Sequence, residues 1–497
     1  MNNDIDNLPK GWAWTQLGEI ALEPQYGWTT SAVDTGKLRL LRTSDITSGR
    51  VDWTSVPFCQ DEPPNVAKYL LHDGDIVISR AGSVGYSYLV KNAPQAVFAS
   101  YLIRFKPLID AAYFDLFLKS PMYWEAILEK TIGIALANVN ASKLKQITVP
   151  LPPLPEQQRV VVKIEELFTR LDAGVEALNK IKSQLKRYRQ SVLKHAFEGK
   201  LTAEWRQAHK DELQPASVLL ERIKQERQKI AKGKYKELPQ LDTSELTDLP
   251  EGWVWAQISA IAESMKNGIY KPASYYSDNG IACLRMYNIE NGFIIWKDIK
   301  RMNLSKNEIS EYQLLPGDVL VNRVNSRELV GKAAVIPTGL EPCVYESKNI
   351  RLRLYLRYVN STYVNFWFLL SSQEYFNRNA QQTVGMASIN QEQLGSMPIP
   401  IPQTLEQHRI VEEVERRFSV ADQIEKTVDH SLKQAERLRH SILKRAFEGK
   451  LVPQDPNDEP AEKLLERIKA ERTKRLAEAK ATSASKKKIT TKQMRLV

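Results

Sequence analysis

Catalytic signatures are missing from this chain. Its 497 residues contain no GxxxxGK[ST] phosphate loop, no HExxH pair and no GxSxG elbow, which excludes the common nucleotide hydrolases, zinc peptidases and serine hydrolases built on them. Cysteine is scarce: Cys59, Cys283 and Cys343 are odd in number, far apart and without a CxxC pair. That argues against a disulfide framework or a zinc ribbon and suits reduced thiols in a cytoplasm. Long apolar runs are absent too. The most apolar stretch, YVNFWFLL at 363–370, is far short of the ~20 residues that cross a bilayer. The opening MNNDIDNLPK lacks the charged-then-apolar pattern of a secretion signal. The expectation is a cytoplasmic protein with no membrane partner.

Two near-matches to cofactor motifs also fall away. EPPN at 62–65 approaches the [N/D]PP[Y/F/W] pattern of amino-methyltransferases but has no aromatic to stack on a flipped base, so a plain turn is expected. AGSVG at 81–85 is glycine-rich, yet its counterpart later in the chain is VNSRELVG at 324–331, which marks a turn rather than a phosphate cradle. No catalytic residue and no metal ligand is assigned, and the chain is expected not to be an enzyme.

What the chain does contain is a long repeat. AFEGKL stands at 196–201 and again at 446–451, LPKGW at 8–12 returns as LPEGW at 249–253, and GDIVISR at 74–80 returns as GDVLVNR at 317–323. A unit of about half the chain has been duplicated. Within each copy, short β-type runs separated by Gly, Pro, Asn and Asp turns are mixed with helical patches. Each copy then leaves through a proline-rich exit, VPLPPLPEQQR at 149–159 and IPIPQTLEQHR at 399–409, where proline is tolerated only in a helix's first turn. The spacing predicts long helices from Glu156 to Phe197 and from Glu406 to Phe447, stopped by Gly199 and Gly449.

Apolar residues at Ile164, Leu167, Leu171, Leu178, Ile181, Leu185, Tyr188 and Val192 form one stripe, and Val414, Ala421, Ile424, Val428, Ala435, Leu438 and Ile442 form another. Large side chains facing small ones predict close packing of the two helices. A further amphipathic segment follows each helix, at 215–229 and 460–474, and the second runs into a basic tail at 483–497. By this symmetry the final segment is expected beside the first globule. The fold class is thus α+β: two repeated mixed α/β domains separated by two long helices packed as an antiparallel coiled coil, pseudo-two-fold symmetric. The expected boundaries are 1–150, 151–200, 201–248, 249–400, 401–450 and 451–497.

Lys and Arg outnumber Asp and Glu by 70 to 59, a net charge of +11, which suits a polyanionic partner or serves solubility alone. The repeat separates frame from surface: LRTSDI at 41–46 becomes LRMYNI at 284–289, keeping the apolar frame while polar positions change. Arg42 and Arg285 are equivalent, as are Arg80 and Arg323. Each is a candidate for a guanine or phosphate contact, or for a structural ion pair with the nearby Asp73 or Asp75. Ser83 in the first copy, and Asn325 and Arg327 in the second, differ and are candidates for sequence readout. The loops YGWTTS at 26–31 and NGIYKPAS at 267–274 supply Tyr26, Trp28, Thr29, Thr30, Tyr270 and Lys271, with Tyr287 beside Arg285. That mixture suits a groove and its backbone, or a capped turn.

LPxGW opening a globule, GD[I/V]xxxR within it, the exit PLPPLPEQQRVV and a long helix closing on SVLKHAFEGKL, all repeated, resemble the specificity (S) subunits of Type I DNA restriction-modification systems. The resemblance spans essentially the whole chain. It implies that each globule is a target-recognition domain for one half of a split double-stranded DNA sequence. It also implies that the helices act as spacers docking two DNA adenine methyltransferase subunits and restriction-translocation subunits, on which S-adenosylmethionine, ATP and Mg are expected. The docking residues it implies are Gln157, Arg159 and Phe197 on the first helix and Gln407, Arg409 and Phe447 on the second. One departure is His408 in place of Gln158. Domains on one face of DNA sit about one turn apart, which leaves an unread gap of about 5–7 base pairs. A few residues inserted between Leu201 and Trp205 are expected to widen it. A recognition part of a fused methyltransferase-nuclease and a coiled-coil scaffold without DNA are the alternatives.

Overall fold

The computed structural model describes residues 8–131, 138–230, 237–383 and 385–475; the basic tail at 483–497 lies outside them. The chain divides into two compact units, one taking residues up to 179 and everything from 429 onward, the other 180–428. The long helices run Leu154–Phe197 and Thr404–Phe447, each starting about half a turn before the expected glutamate, so Pro155 occupies the first turn, where its missing N–H costs nothing. Each helix begins in one unit and ends in the other.

In the first unit the globule is closed by its two ends: Ala13–Gln16 pairs antiparallel with Thr148–Leu151, Ala13 opposite Leu151. The last strand leads directly into the long helix. Between them lie two four-stranded sheets. One is ordered Gln25–Tyr26, Leu102–Phe105, Ile76–Ser79, Ser87–Leu89; the other Ala32–Val33, Phe58–Cys59, Arg39–Leu41, Ala96–Phe98. The start of the first long helix and the end of the second are built into the same core: Ile164 packs with Ile442 and Phe447, and the Phe447 ring lies 5.2 Å from Tyr113 and 5.4 Å from Phe117. Tyr113, fully buried, donates its hydroxyl to Pro150 O at 2.7 Å, and burial pushes that phenol well above its usual range. The helix over 461–475 joins this core through Ala461, Leu464 and Ile468, and the Ala461 N–H donates to Gly11 O at 2.9 Å. The expected place of the final segment is therefore correct.

The second unit repeats these devices. Val254–Gln257 pairs antiparallel with Pro398–Ile401; Phe197 packs 4.9 Å from both Tyr363 and Trp367; Tyr363 donates to Pro400 O at 2.7 Å; and Ala216–Ile230 caps the globule through Leu219 and Ile223, with Ala216 N–H donating to Gly252 O at 2.8 Å. Two of its sheets are ordered Ala262–Asn267, Asn349–Leu354, Val319–Asn322, Ala333–Val335 and Lys300–Met302, Tyr276–Leu284, Cys343–Tyr345.

The two repeated motifs meet. Gly199 and Gly449 turn left-handed after the helices, at φ 67° and 66°, and a β-carbon on either would overlap the ring of the LPxGW proline, Pro250 in one unit and Pro9 in the other. Only glycine both accepts that φ and admits the proline. Within each unit the start of one long helix runs alongside the end of the other in the opposite sense. Asp172 pairs with Arg439, which covers the Phe168 ring at 4.3 Å; Arg189 pairs with Asp422 at 2.6 Å and Glu425 at 2.8 Å. The seam is narrower than the apolar stripes suggest: Ala421 and Val428 are buried, while Tyr188, Ile424 and Leu438 are exposed. Paired charges take over where the stripes run out.

Candidate nucleic-acid interface

Topology gathers the candidate contacts around one turn in each unit. Arg39–Leu41 and Ala96–Phe98 are parallel, with Leu41 opposite Phe98, so both strands end on the same rim. Arg42 leaves one end and the turn 99–101 leaves the other. In the other sheet Ser79 faces Leu102 across an antiparallel pair and Tyr26 faces Ile103, which brings Arg80 and the 26–31 loop to the same turn. Backbone bonds lock the junction: Ala99 N–H to Leu41 O at 2.9 Å, Trp28 N–H to Phe98 O at 2.8 Å, Gly27 N–H to Leu102 O at 3.1 Å and Arg80 N–H to Tyr101 O at 2.9 Å.

The second unit builds the same junction on the turn 346–348. Leu284 lies opposite Tyr345 in a parallel pair, Asn322 opposite Asn349, and Asn267 opposite Ile350. Glu346 N–H donates to Leu284 O at 3.0 Å, Ile269 N–H to Tyr345 O at 3.0 Å, Gly268 N–H to Asn349 O at 3.0 Å and Arg323 N–H to Lys348 O at 2.8 Å. Gly27 and Gly268 are required by this closeness. A β-carbon on either would overlap the carbonyl of Ala99 or of Glu346.

Several candidates prove to be held by their own unit. Arg42 is half-buried and pairs not with Asp73 or Asp75 but with Asp45 at 2.8 Å, a hydrogen bond that raises its affinity for its proton; Asp75 is taken by Arg104 at 3.3 Å. Arg285 pairs with Glu346 at 3.3 Å and lies over the Tyr287 ring at 5.4 Å. Arg323 donates from Nε to Ile389 O at 3.2 Å and from Nη1 to Ser347 O at 3.3 Å. Lys271 is paired with Glu308 at 2.6 Å, a hydrogen bond that lowers the carboxyl to about 2, and it also covers the Tyr275 ring at 4.3 Å. Asn325 is buried, donating to Asn322 Oδ1 at 2.7 Å and accepting from Ser326 N–H at 2.9 Å. Trp28 donates to Asp61 O at 3.0 Å, and the Thr30 hydroxyl accepts from Asp61 N–H at 3.0 Å.

Exposed on the first rim are Tyr26, Thr29, Ser83 and, 61% exposed, Tyr101; on the second, Tyr270 at 80%, Tyr287 at 65%, Arg327 and Lys348. Tyr101 and Lys348 occupy the same place in the two turns, and sequence reasoning missed both. The signal was present as the repeat VFASYLIRF at 97–105 against VYESKNIRL at 344–352, an unchanged apolar frame around a changed centre.

The helix-end residues are placed differently. Gln157 is buried, donating to Pro152 O at 3.0 Å and accepting from Asp110 N–H at 3.1 Å; Gln407 repeats this with Pro402 O at 3.0 Å and Asn360 N–H at 2.9 Å. Phe197 and Phe447 lie in the cores. These four hold each helix to its globule and offer no side-chain surface. Arg159, ion-paired with Asp458 at 2.6 Å, and Arg409, with Glu412 at 3.2 Å, reach solvent. Among the described residues no cluster of His, Cys, Asp or Glu is arranged to hold a metal, and no helix is long and apolar enough to cross a membrane.

The family model for the Type I restriction modification DNA specificity domain matches twice, at residues 10–187 and 250–434. The chain is 29% identical to the Type I restriction enzyme EcoKI specificity subunit of Escherichia coli K12 over 473 residues, 91% of each chain. It is 27% identical to the StySPI specificity subunit of Salmonella potsdam over 503 residues, covering 96% of this chain and 99% of that one. In fold it resembles a chain from a structure of complex assembly and conformational transition in the type I R-M system. The TM-score is 0.65 at 18% identity, over 89% of this chain and 99% of the other.

Proposed function

Because the chain belongs to the Type I restriction-modification DNA specificity family and is a non-catalytic specificity subunit, we propose that each of its units reads one half of a split, asymmetric double-stranded DNA target with the rim around its central turn. The observation that carries this is the doubled rim: one backbone frame, locked by the same hydrogen bonds in both units, presents different exposed side chains. A shared frame with altered tips is what reading two different sequences requires, because base edges are distinguished by donor and acceptor placement. The net charge of +11 supplies the sequence-independent attraction to phosphate.

The long helices set the separation of the half-sites and leave about 5–7 base pairs unread. They dock two DNA adenine methyltransferase subunits and the restriction-translocation subunits, which carry S-adenosylmethionine, ATP and Mg, in the cytoplasm where the DNA is. With Gln157, Gln407, Phe197 and Phe447 inside the cores, docking falls to Arg159, Arg409 and the exposed apolar positions of the helices, among them Leu438 and Val420.

The test is to exchange residues 1–150 for the equivalent domain of a relative and map modified adenines in the host genome by long-read sequencing. One half of the methylated site changes and the other stays; a change in both halves, or in neither, would sink the reading.

A further inference from the structure

The two rims share a frame but differ at one arginine. In the second unit Arg323 is satisfied by its own fold, donating to the carbonyls of Ile389 and Ser347. The corresponding carbonyls in the first unit belong to Val139 and Ser100: Val139 N–H donates to Arg80 O at 3.0 Å just as Ile389 N–H donates to Arg323 O at 2.9 Å. Arg80 makes neither side-chain bond. Its guanidinium lies over the Tyr26 ring, 5.0 Å from the centroid. Among the described residues no carboxylate pairs with it, and its buried Nε has no hydrogen-bond partner. The terminal nitrogens of the fork likewise make no hydrogen bond among the described residues, and beside an open rim these, rather than the enclosed Nε, are the donors left for an acceptor that arrives from outside.

Tyr26 marks the difference. It holds the register position that Asn267 holds in the second unit, opposite Ile103 as Asn267 is opposite Ile350, and its hydroxyl is pinned by accepting the Ala141 N–H at 3.0 Å. A fixed ring under a guanidinium sets the plane of the fork. That plane has value for a flat, two-acceptor target and little for a phosphate, which a swinging lysine serves as well.

Resting on the reading of each unit as a half-site reader, we infer that Arg80 is a specificity-determining residue of the first unit. Its fork donates to O6 and N7 of a guanine in the major groove, Tyr26 is its positioning residue, and Arg323 belongs to the frame and contacts no base. The two units therefore read through different residues of the same rim.

The experiment uses the full chain assembled with its methyltransferase subunits and maps methylated sites genome-wide. Arg80→Lys is expected to relax one guanine position of the first half-site by roughly 5- to 150-fold in preference, leaving the second half-site and the gap unchanged. Tyr26→Asn, which installs the residue of the second unit, is expected to drop Arg80 onto the Val139 and Ser100 carbonyls and give the same relaxation. Arg323→Lys lowers the melting temperature but keeps the second half-site sequence. Methylation retained at correctly spaced second half-sites shows that the variants fold. The inference is overturned if the first half-site holds no guanine, or if Arg80→Ala weakens all sites alike while Arg80→Lys changes nothing, as a phosphate contact would. An unchanged preference in Arg80→Lys, or relaxation of the second half-site by Arg323→Lys, overturns it equally. A wild-type protein that directs methylation to no split sequence would instead overturn the reading on which it rests.

Discussion

The indole N–H of Trp253 donates to the Glu406 carboxylate at 2.9 Å, tying the opening of the second globule to the first turn of the second long helix. The same buried carboxylate accepts the Thr202 hydroxyl at 2.7 Å and Arg206 Nε at 3.0 Å. Three donors on one anion make this a joint between three segments of the unit. Removing the anion strands a largely buried guanidinium. Glu406→Ala is therefore expected to destabilise by about 3 kcal/mol and Glu406→Gln, which keeps the shape and one acceptor, by about half as much. Urea unfolding of the purified chain measures both; a loss under ~0.5 kcal/mol for the alanine variant would show that the joint is dispensable.

Glycine at the rim gives a paired prediction. Gly27→Ala and Gly268→Ala force a β-carbon into the Ala99 or the Glu346 carbonyl, and overpacking of this kind costs about 1–3 kcal/mol. Each is expected to displace its reading loop and weaken DNA binding. Gly174→Ala, in open space within a long helix, is expected to stabilise by up to ~1 kcal/mol. Calorimetry and fluorescence anisotropy on the three variants decide it, and a Gly27→Ala protein that binds normally would remove the close approach from the account.

The gap between half-sites should follow helix length. Residues 201–205, where an insertion looks harmless from sequence, lie within the second unit, and Thr202 is buried against Glu406; an insertion there is expected to unseat the joint rather than widen the gap. About seven residues, two turns, added after Asn179 and again after Val428 preserve the phase of the apolar seam. They lengthen each helix by about 10 Å at ~1.5 Å per residue, roughly three base pairs at ~3.4 Å each. Methylation mapping should return the same half-sites further apart; the original gap in the lengthened protein would show that the helices do not set it.

Acid should loosen the second helix near its start. Glu413 is lowered to about 2, first by its hydrogen bond to Arg416, with Arg417 also contributing. Its folded value lies below the ordinary 4.5, so the stabilisation is present above pH 4.5 and is lost as pH falls toward 2. Glu413→Gln should be less stable than wild type at neutral pH, with the difference closing between pH 4.5 and 2. A difference that persists at pH 2 would assign the effect to packing instead of charge.

Some pairings were open to a reader of the sequence and others were not. Arg42 and Asp45 are three residues apart, so their bond needs only one turn of helix, yet the sequence reading names the more distant Asp73 and Asp75 and not Asp45. Arg285 and Glu346 are separated by 61 positions and meet only because two parallel strands end on one rim. Docking roles for Gln157 and Gln407 came only from the family resemblance, through the EQ-R motif at each helix start. Tertiary structure buries them to satisfy backbone groups of the preceding globule, Asp110 N–H and Asn360 N–H.

Local chemistry was sufficient for whatever depends on neighbours along the chain. The duplicated motifs, the proline-rich exits, the helix lengths to within one turn and the left-handed stops at Gly199 and Gly449 all follow from spacing and backbone preference. Partner choice across long separations does not, because a side chain's options are set by which strand ends topology places beside it. Arg80 and Arg323 are the same residue in the same repeated motif. One is spent on two carbonyls and the other lies over the ring of Tyr26, which stands where the other copy has Asn267. The repeat announced that both arginines sit on a rim; only the packed fold decided which of them still has hydrogen bonds to give.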